Sequence, residues 1–203
     1  ANQAIHGAAQ AGGHLASLAL FPEVETAVIR LQRSYRSTRQ ISAFASALLP
    51  EGEKAEPFER DGPLPELIFA GGNAEEAAQF AAERIGRMRG EGWASIAVIA
   101  KTAEEAREAH RLLSTRVDNL KYLTKDDASF PTGTVVLPSY LAKGLEFDAV
   151  LVWNAGDEVY GKEEERKLLY TVCTRALHRL ALLVRGTPSR LLRGVPHGLY
   201  AAE

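Results

Sequence analysis

The chain has 203 residues, which is enough for one generous domain or two small ones, with a core that needs no disulfide or metal staple. Hydrophobic residues make up 46% and charged residues 25%, as in ordinary globular proteins. The 24 basic and 26 acidic side chains give a net charge of −2, which excludes a polybasic protein that binds nucleic acid over its whole surface. Any contact with nucleic acid must therefore be local.

The chain also lacks the sequence features of secreted, membrane and metal proteins. The single cysteine, Cys173, excludes an internal disulfide and a cysteine zinc site, and it favours a reducing, cytoplasmic compartment. No apolar run approaches the about 18 residues of a membrane span, so we expect no membrane association. The five histidines have no ligand spacing, so we expect no metal site. Residues 1–20 lack the features of a signal peptide and begin without Met, and we expect the chain to be a piece of a longer protein.

The apolar period alternates along the chain between short strands and helices of 10–15 residues. We predict strands at 27–31, 67–70, 95–100, 134–137, 148–153 and 180–184. We predict helices at 41–49 (capped by Ser37 or Thr38), from the cap Asn73 to about 88, from the cap Thr102 to about 113, and at 163–177. Segment 117–131 is weakly patterned. Because several strands are continuous apolar runs, the prediction is an α/β fold whose mostly parallel sheet has helices on both faces.

An arginine cluster follows the first predicted strand. In such a sheet ligands gather at the carboxyl ends of the strands, so residues placed there are the first candidates for function. Four arginines fall between residues 30 and 39 with no acid among them, and Tyr35 stands beside Arg36 at a helix start. This pair could stack a base and bind a phosphate. A solvated turn whose arginines pair with surface acids explains the spacing equally well.

Two further candidates follow later elements. Lys143 and Gly144 lie in a strand–loop–strand connection where the backbone could approach a ligand closely, and Glu146 could accept a hydrogen bond from a sugar hydroxyl. A plain β-turn with exposed charges is the commoner explanation of such a loop. Arg175 lies at the border of the buried stripe of helix 163–177, where it must find a ligand or a structural ion-pair partner. Cys173, on the same stripe, reads as a small core residue.

Two nucleotide-site features are missing. The phosphate-binding pattern G-x-x-x-x-G-K-[ST] does not occur, because Gly161-Lys162 is followed by Glu163. Asp157-Glu158 looks like a magnesium-binding acidic pair, but it is predicted to lie in a loop beyond the strand, so we interpret it as no metal site. The chain thus has phosphate-binding arginines without the loop that cradles phosphates.

Three segments match known motifs in order. Residues 31–38 (LQRSYRST), 142–147 (AKGLEF) and 164–176 (EERKLLYTVCTRA) are similar to motifs IV, V and VI of superfamily 1 helicases. The chain therefore resembles the second RecA-like motor domain of a UvrD/PcrA/Rep-type helicase. The resemblance implies a RecA-like fold of the P-loop NTPase type that itself lacks the P-loop.

A fourth fragment suggests how the chain is organised. Residues 1–6 resemble the tail of motif III, in which Gln3 would link the γ-phosphate to the nucleic-acid face. On this resemblance, residues 1–20 are the residual tail of a first motor domain with a linker. Residues 21–203 are the second motor domain, without the large accessory insertion of the processive helicases.

The resemblance also implies roles for residues of an ATP site. Tyr35 would stack on the adenine, Arg36 and Arg175 would contact the γ-phosphate, and Glu146 with the Gly144 backbone would hold the ribose side. ATP and Mg²⁺ would be the cofactors, with magnesium held by the missing first motor domain of the same protein. The isolated chain is then expected to be inactive and monomeric.

The flank of motif V differs from that of the helicases. The sequence of residues 136–148 and 173–178 looks most like that of the HelD group, whose members bind RNA polymerase and release it from nucleic acid. Pro138 replaces the usual threonine of motif V, and this departure weakens any expectation of duplex unwinding.

The partners follow from the same comparison, with alternatives. Ser139, Tyr140 and Lys143 are the candidates for contact with DNA or RNA, and RNA polymerase is an expected partner. One alternative is a non-catalytic docking module for RNA polymerase or nucleic acid with vestigial nucleotide residues. The motor part of a recombination nuclease is a third interpretation, although the chain shows no nuclease acid cluster.

Overall fold

The computed structural model describes residues 33–34, 37–50, 56–57, 60–125, 127 and 132–203, and the structural statements below concern these residues. The predicted strand at 27–31 lies outside them. Two short strands, β1 (Arg33–Ser34) and β2 (Glu56–Pro57), pair in parallel.

A seven-stranded sheet forms the centre of the molecule, and every neighbouring pair in it is parallel. The strands are β3 (Glu66–Ala70), β4 (Ser95–Ala100), β5 (Leu120–Tyr122), β6 (Gly133–Pro138), β7 (Phe147–Val152), β8 (Ala176–Arg185) and β9 (Ala201–Ala202). Their order across the sheet is β5-β6-β4-β7-β8-β3-β9. The strands of the middle are buried on both faces, as their continuous apolar runs predicted.

Helices cover both faces of this sheet. They are α1 (Arg39–Ala47), α2 (Ala74–Gly90), α3 (Ala103–Leu113) and α4 (Arg166–Cys173). One core contains Phe44 of α1 and Leu169 of α4, and the other contains Ile85 of α2 and Leu112 of α3. The three-layer α/β prediction is therefore confirmed. None of the described helices has the length and hydropathy that crossing a membrane requires.

The structure adds one strand that was not predicted and corrects the bounds of one helix. The weakly patterned segment contains β5, a three-residue strand at the sheet edge that is too short and too polar to show a period. The helix predicted at 163–177 is a 3₁₀ turn (Glu163–Glu165) followed by α4, which ends at Cys173. Strand β8 begins at Ala176 because Ala176 pairs with Phe147, so sheet pairing overrides the helical period. Arg175 consequently lies in the turn between α4 and β8, not on a helix stripe.

The predicted helix caps offer a direct test of the local structure. Asn73 accepts a hydrogen bond from the Glu76 N–H at 2.7 Å at the start of α2. We expect Asn73→Ala to lower the free energy of unfolding by about 1 kcal/mol, because one terminal N–H loses its acceptor. Urea unfolding measures the change, and Asn73→Asp, which keeps an acceptor, should remain close to wild type. Equal losses in both variants would contradict the capping role.

An aromatic pair near the start of β8 makes stability depend on pH. Trp93 and His178 stack with ring centroids 4.6 Å apart. Burial, and then the Arg60 charge, lower the pKa of His178 below its usual value. The native state therefore binds fewer protons than the unfolded chain once the pH falls below about 6.5, and the free energy of unfolding drops with pH there.

We expect His178→Gln to reduce that drop, since the variant has no ring to protonate in the unfolded chain. Urea unfolding of both proteins at neutral and mildly acidic pH measures the difference. An identical pH slope in the two proteins would show that His178 is not responsible.

Candidate functional site

The sequence-predicted residues divide between the two ends of the sheet. Ser139 and Tyr140 directly follow Pro138, the last residue of β6, and so lie at the carboxyl ends of the strands. Glu146 precedes β7 and Arg175 precedes β8, so both lie at the amino ends. The expectation that the candidate residues gather at the carboxyl ends is therefore wrong for Glu146 and Arg175. The chain crosses from one end to the other within residues 139–146.

Arg175 joins the two predicted motifs at the amino ends. Its side chain is buried, with only 1% of the residue exposed. Nε donates to the Thr171 carbonyl at 3.0 Å, and Nη1 donates to the Leu145 carbonyl at 3.2 Å. The Arg175 carbonyl in turn accepts from the Phe147 N–H at 3.0 Å. One residue thus ties the end of α4 to the loop that carries Gly144 and Glu146.

The start of α1 is attached to the same place. The Ser37 hydroxyl, in a residue that is 1% exposed, donates to the Ala176 carbonyl at 2.6 Å. The Thr38 N–H donates to the Leu177 carbonyl at 3.1 Å. Because Thr38 also caps α1 by accepting from the Ile41 N–H, the cap and the sheet contact fix this turn together. Ser37 and Thr38, which precede the last arginine of the cluster, are therefore held beside Arg175.

Three predicted residues cannot be placed. Gln3, Tyr35 and Arg36 lie outside the described residues, and their roles stay predictions. Arg39, the last arginine of the cluster, forms an exposed ion pair with Asp61 at 2.7 Å. That pair agrees with the solvated-turn interpretation for Arg39.

The loop before β7 presents exposed polar groups. Lys143, Gly144 and Glu146 are all exposed. Gly144 has φ of +82°, which side-chain-bearing residues rarely adopt, and the Leu145 N–H donates to the Ala142 carbonyl at 3.1 Å. The turn therefore needs glycine for its backbone conformation, and it places the backbone and the Glu146 carboxylate at the surface, where a ligand could reach them.

The opposite end carries the nucleic-acid candidates. Tyr140 is 45% exposed and, with Phe69, is one of two large aromatic side chains that are exposed among the described residues. Its neighbour Ser139 is buried, and the hydroxyl donates to the Lys101 carbonyl at 2.7 Å. An exposed ring on an anchored turn is suited to stacking on a base.

The loop between β7 and α4 does not form a nucleotide site. Gly156 and Gly161-Lys162 have the glycine and lysine spacing of a phosphate loop, but three glutamates, Glu163–Glu165, occupy the turn that follows. Acids there repel phosphate. Arg190 binds Asp157 through its backbone N–H, Nε and Nη2, and these hydrogen bonds lower the pKa of that carboxyl to about 2. Among the described residues no cluster of three His, Cys, Asp or Glu could hold a metal ion.

Cys173 lies in the core, and Lys101 lies at the carboxyl end of β4. Cys173 is fully buried, and burial raises the pKa of its thiol, which confirms its interpretation as a core residue. Lys101 was missed by the sequence analysis. It directly follows β4 and forms an ion pair with Glu165. The sequence could have indicated Lys101, because it is a charged residue directly after the apolar run Ile96–Ala100.

Comparison with known proteins agrees with this geometry. The model of the UvrD-like helicase C-terminal domain matches residues 133–183, which include the β6–β7 connection, α4 and most of β8. The structure is similar to the crystal structure of the C-terminal domain of a possible DNA helicase from Lactobacillus plantarum WCFS1. The TM-score is 0.73 and the identity 37%, covering 83% of this chain and 98% of that chain. No curated protein matches the chain.

More distant similarities are weaker. Dbp5 L327V of S. cerevisiae bound to RNA and ADP BeF3 has a TM-score of 0.47 at 11% identity, covering 79% of this chain and 47% of that one. T4 UvsW has a TM-score of 0.40 at 10% identity, covering 66% and 35%. The similarity to the Lactobacillus domain, by contrast, extends over nearly all of that structure.

The fold is thus the RecA-like α/β fold of helicase C-terminal domains, with a parallel sheet between two helical layers. The matched segment contains the loop before β7 and the turn before β8, which the Arg175 hydrogen bonds bring together. The chain belongs to the UvrD-like helicase C-terminal domain family.

Proposed function

We propose that this chain is the second motor domain of an ATP-driven DNA helicase or translocase. In this proposal it supplies residues to an ATP site that the first motor domain of the same protein completes. The observation that supports it most is the meeting of three segments at the amino ends of β7 and β8. There the turn before α1, the loop before β7 and the turn before β8 are joined by hydrogen bonds of Ser37, Arg175 and Phe147.

The proposed roles follow from what each group offers. Tyr35 stacks on the adenine, and Arg36 and Arg175 bind the γ-phosphate as its charge develops in the transition state. The exposed Glu146 accepts hydrogen bonds from the ribose, and the glycine conformation at 144 lets the backbone come close. Magnesium arrives with ATP and is held by the first motor domain.

The burial of Arg175 sets a requirement for this mechanism. The guanidinium donates to the Thr171 and Leu145 carbonyls of its own domain. Because the side chain is buried, it must move towards the phosphate to bind it, and that movement changes the position of the loop before β7. Nucleotide binding would therefore be coupled to movement of that loop, and hydrolysis would return the arginine to its carbonyl partners.

We expect Arg175→Lys in the full-length protein to lower ATP turnover by roughly 10³-fold, the size of effect typical of such arginines. Lysine keeps the charge but cannot donate to two carbonyls and a phosphate at once. Steady-state hydrolysis gives the rate, and a fluorescent ATP analogue gives the binding, which should change little.

Arg179→Lys is the matched control for this variant. Arg179 lies in β8, four residues after Arg175, and forms ion pairs with Glu66 and Glu91. Its turnover should stay near wild type. Unchanged turnover in Arg175→Lys would remove Arg175 from the ATP site.

The isolated chain provides an independent test. It should hydrolyse ATP negligibly, because the groups that bind magnesium and activate water belong to the other domain in this proposal. A phosphate-release assay on the 203-residue chain, with and without added first motor domain, measures this. Robust hydrolysis by the chain alone would contradict the proposal.

A narrower proposal concerns the kind of motor. The sequence of residues 136–148 resembles the HelD group, and Pro138 and the exposed Tyr140 stand where the helicases carry other residues. On this basis we propose that the parent protein releases RNA polymerase from nucleic acid with little duplex unwinding. A release assay on stalled transcription complexes, compared with a strand-separation assay, tests this. Release that is independent of ATP would instead favour a docking module with vestigial nucleotide residues.

A further inference from the structure

The two candidate regions lie at opposite ends of the sheet, and a single partly buried side chain connects the elements that carry them. Lys101 follows the last residue of β4. Its Nζ forms an ion pair with Glu165, donates to the Val159 carbonyl at 2.5 Å and lies 5.6 Å from the centre of the Tyr160 ring. The side chains of Lys101 and Glu165 are only 23% and 17% exposed. The ammonium group is thus enclosed by an acid, a carbonyl and an aromatic ring.

Glu165 connects this cation to α4. It is the residue immediately before the helix, and its second carboxylate oxygen accepts from the Lys162 N–H at 3.0 Å. The eight residues of α4 span about 12 Å, and the helix ends at the turn that carries Arg175. A helix of two turns moves as a rigid rod, so fixing its start constrains the position of Arg175 at its end.

Lys101 is also connected to the turn that carries Tyr140. Its carbonyl accepts the buried Ser139 hydroxyl at 2.7 Å, and Ser139 is followed by the exposed tyrosine. A ligand that displaces Tyr140 therefore displaces the backbone of Lys101. The Lys101 side chain transmits this displacement to Glu165. The connection has two non-covalent links, the hydrogen bond of the buried Ser139 hydroxyl and the ion pair of the partly buried Lys101 and Glu165 side chains.

Stability alone does not account for a lysine at this place. Glu165 lies at the start of a helix, where the backbone dipole already favours a negative charge. Withdrawing an ammonium group from water carries a large desolvation penalty, and apolar replacements of such pairs are often no less stable. The pair differs from exposed ion pairs such as Arg39–Asp61 in that both of its side chains are largely withdrawn from water.

We propose that Lys101 is a positioning residue that couples nucleic-acid binding at the Ser139–Tyr140 turn to the placement of Arg175 at the ATP site. The inference rests on the proposed function, because it needs a motor whose ATP turnover responds to nucleic acid. It concerns a residue that contacts neither ligand and acts through α4.

The test is made in the full-length protein with single-stranded DNA as the probe. The measured quantity is the ratio of ATP turnover with DNA to turnover without it. In Lys101→Met combined with Glu165→Gln, which removes both charges together, this ratio should fall by about fivefold or more. Ser139→Ala, which removes the link to the Lys101 carbonyl, should lower the ratio in the same direction. Lys101→Arg keeps a cation that can reach Glu165 and should retain most of the stimulation.

Controls separate coupling from general damage. Arg190→Gln breaks another ion pair beyond the same ends of the strands, with Asp157, but touches neither α4 nor the Ser139–Tyr140 turn, so the ratio should not change. DNA affinity, measured by fluorescence anisotropy, should stay near wild type in the Lys101 variants. A merely structural role would lower both rates together and leave the ratio intact.

The outcomes are distinguishable. If the wild-type protein is stimulated by DNA and the charge-free pair is stimulated equally, the coupling role is overturned while the proposed function stands. If the wild-type protein does not hydrolyse ATP, the proposed function fails and the inference fails with it. Should the double variant fail to fold, a normal ratio in Ser139→Ala would still overturn the inference.

Discussion

The parallel pairing of β7 with β8 begins at their first residues, and the rest of the candidate site depends on this constraint. Phe147 lies opposite Ala176, and the Phe147 N–H donates to the Arg175 carbonyl. Because Phe147 pairs with Ala176, the loop before β7 and the turn before β8 must lie side by side. The guanidinium of Arg175 then reaches the Leu145 carbonyl across the gap. The register shifts by one residue between Phe147 and Ala149, so this first pair is set locally and not by the rest of the ladder.

The same pairing explains why α4 is short and which two ends of the sheet it connects. Its last turn must give way to a strand at Ala176, so the helix ends at Cys173 and leaves Arg175 in a tight turn. The helix therefore runs from one end of the sheet to the other, with Glu165 at its start. The fold places a rigid element between the two chemical regions, which is an arrangement suited to a motor that converts binding at one end into geometry at the other.

Most of the architecture was predictable from local patterns. The strand at 95–100 and the helix ending at 113 match the structure because a strong apolar run and a complete Thr102–Glu105 capping box define them. The candidate site was predictable only as motifs. That Ser37 binds Ala176, or that Lys101 binds Glu165, depends on contacts between residues 64 to 139 positions apart, which no local pattern encodes. The assignment of Glu146 and Arg175 to the carboxyl ends was wrong for a related reason. The rule that ligands bind at the carboxyl ends of parallel strands applies to loops that follow a strand. Glu146 and Arg175 instead precede β7 and β8.

The connection between β6 and β7 has a mechanical meaning of its own. It consists of four residues of 3₁₀ helix, Ser139–Ala142, and four more residues up to Glu146. It must return along a six-residue strand, a length of about 20 Å, although its residues include a 3₁₀ helix and the hydrogen-bonded turn from Ala142 to Leu145. The connection is therefore nearly taut. A taut segment cannot absorb a displacement at one end by bending in the middle, so natural variation in this family would have to preserve its length as well as the glycine that its turn requires.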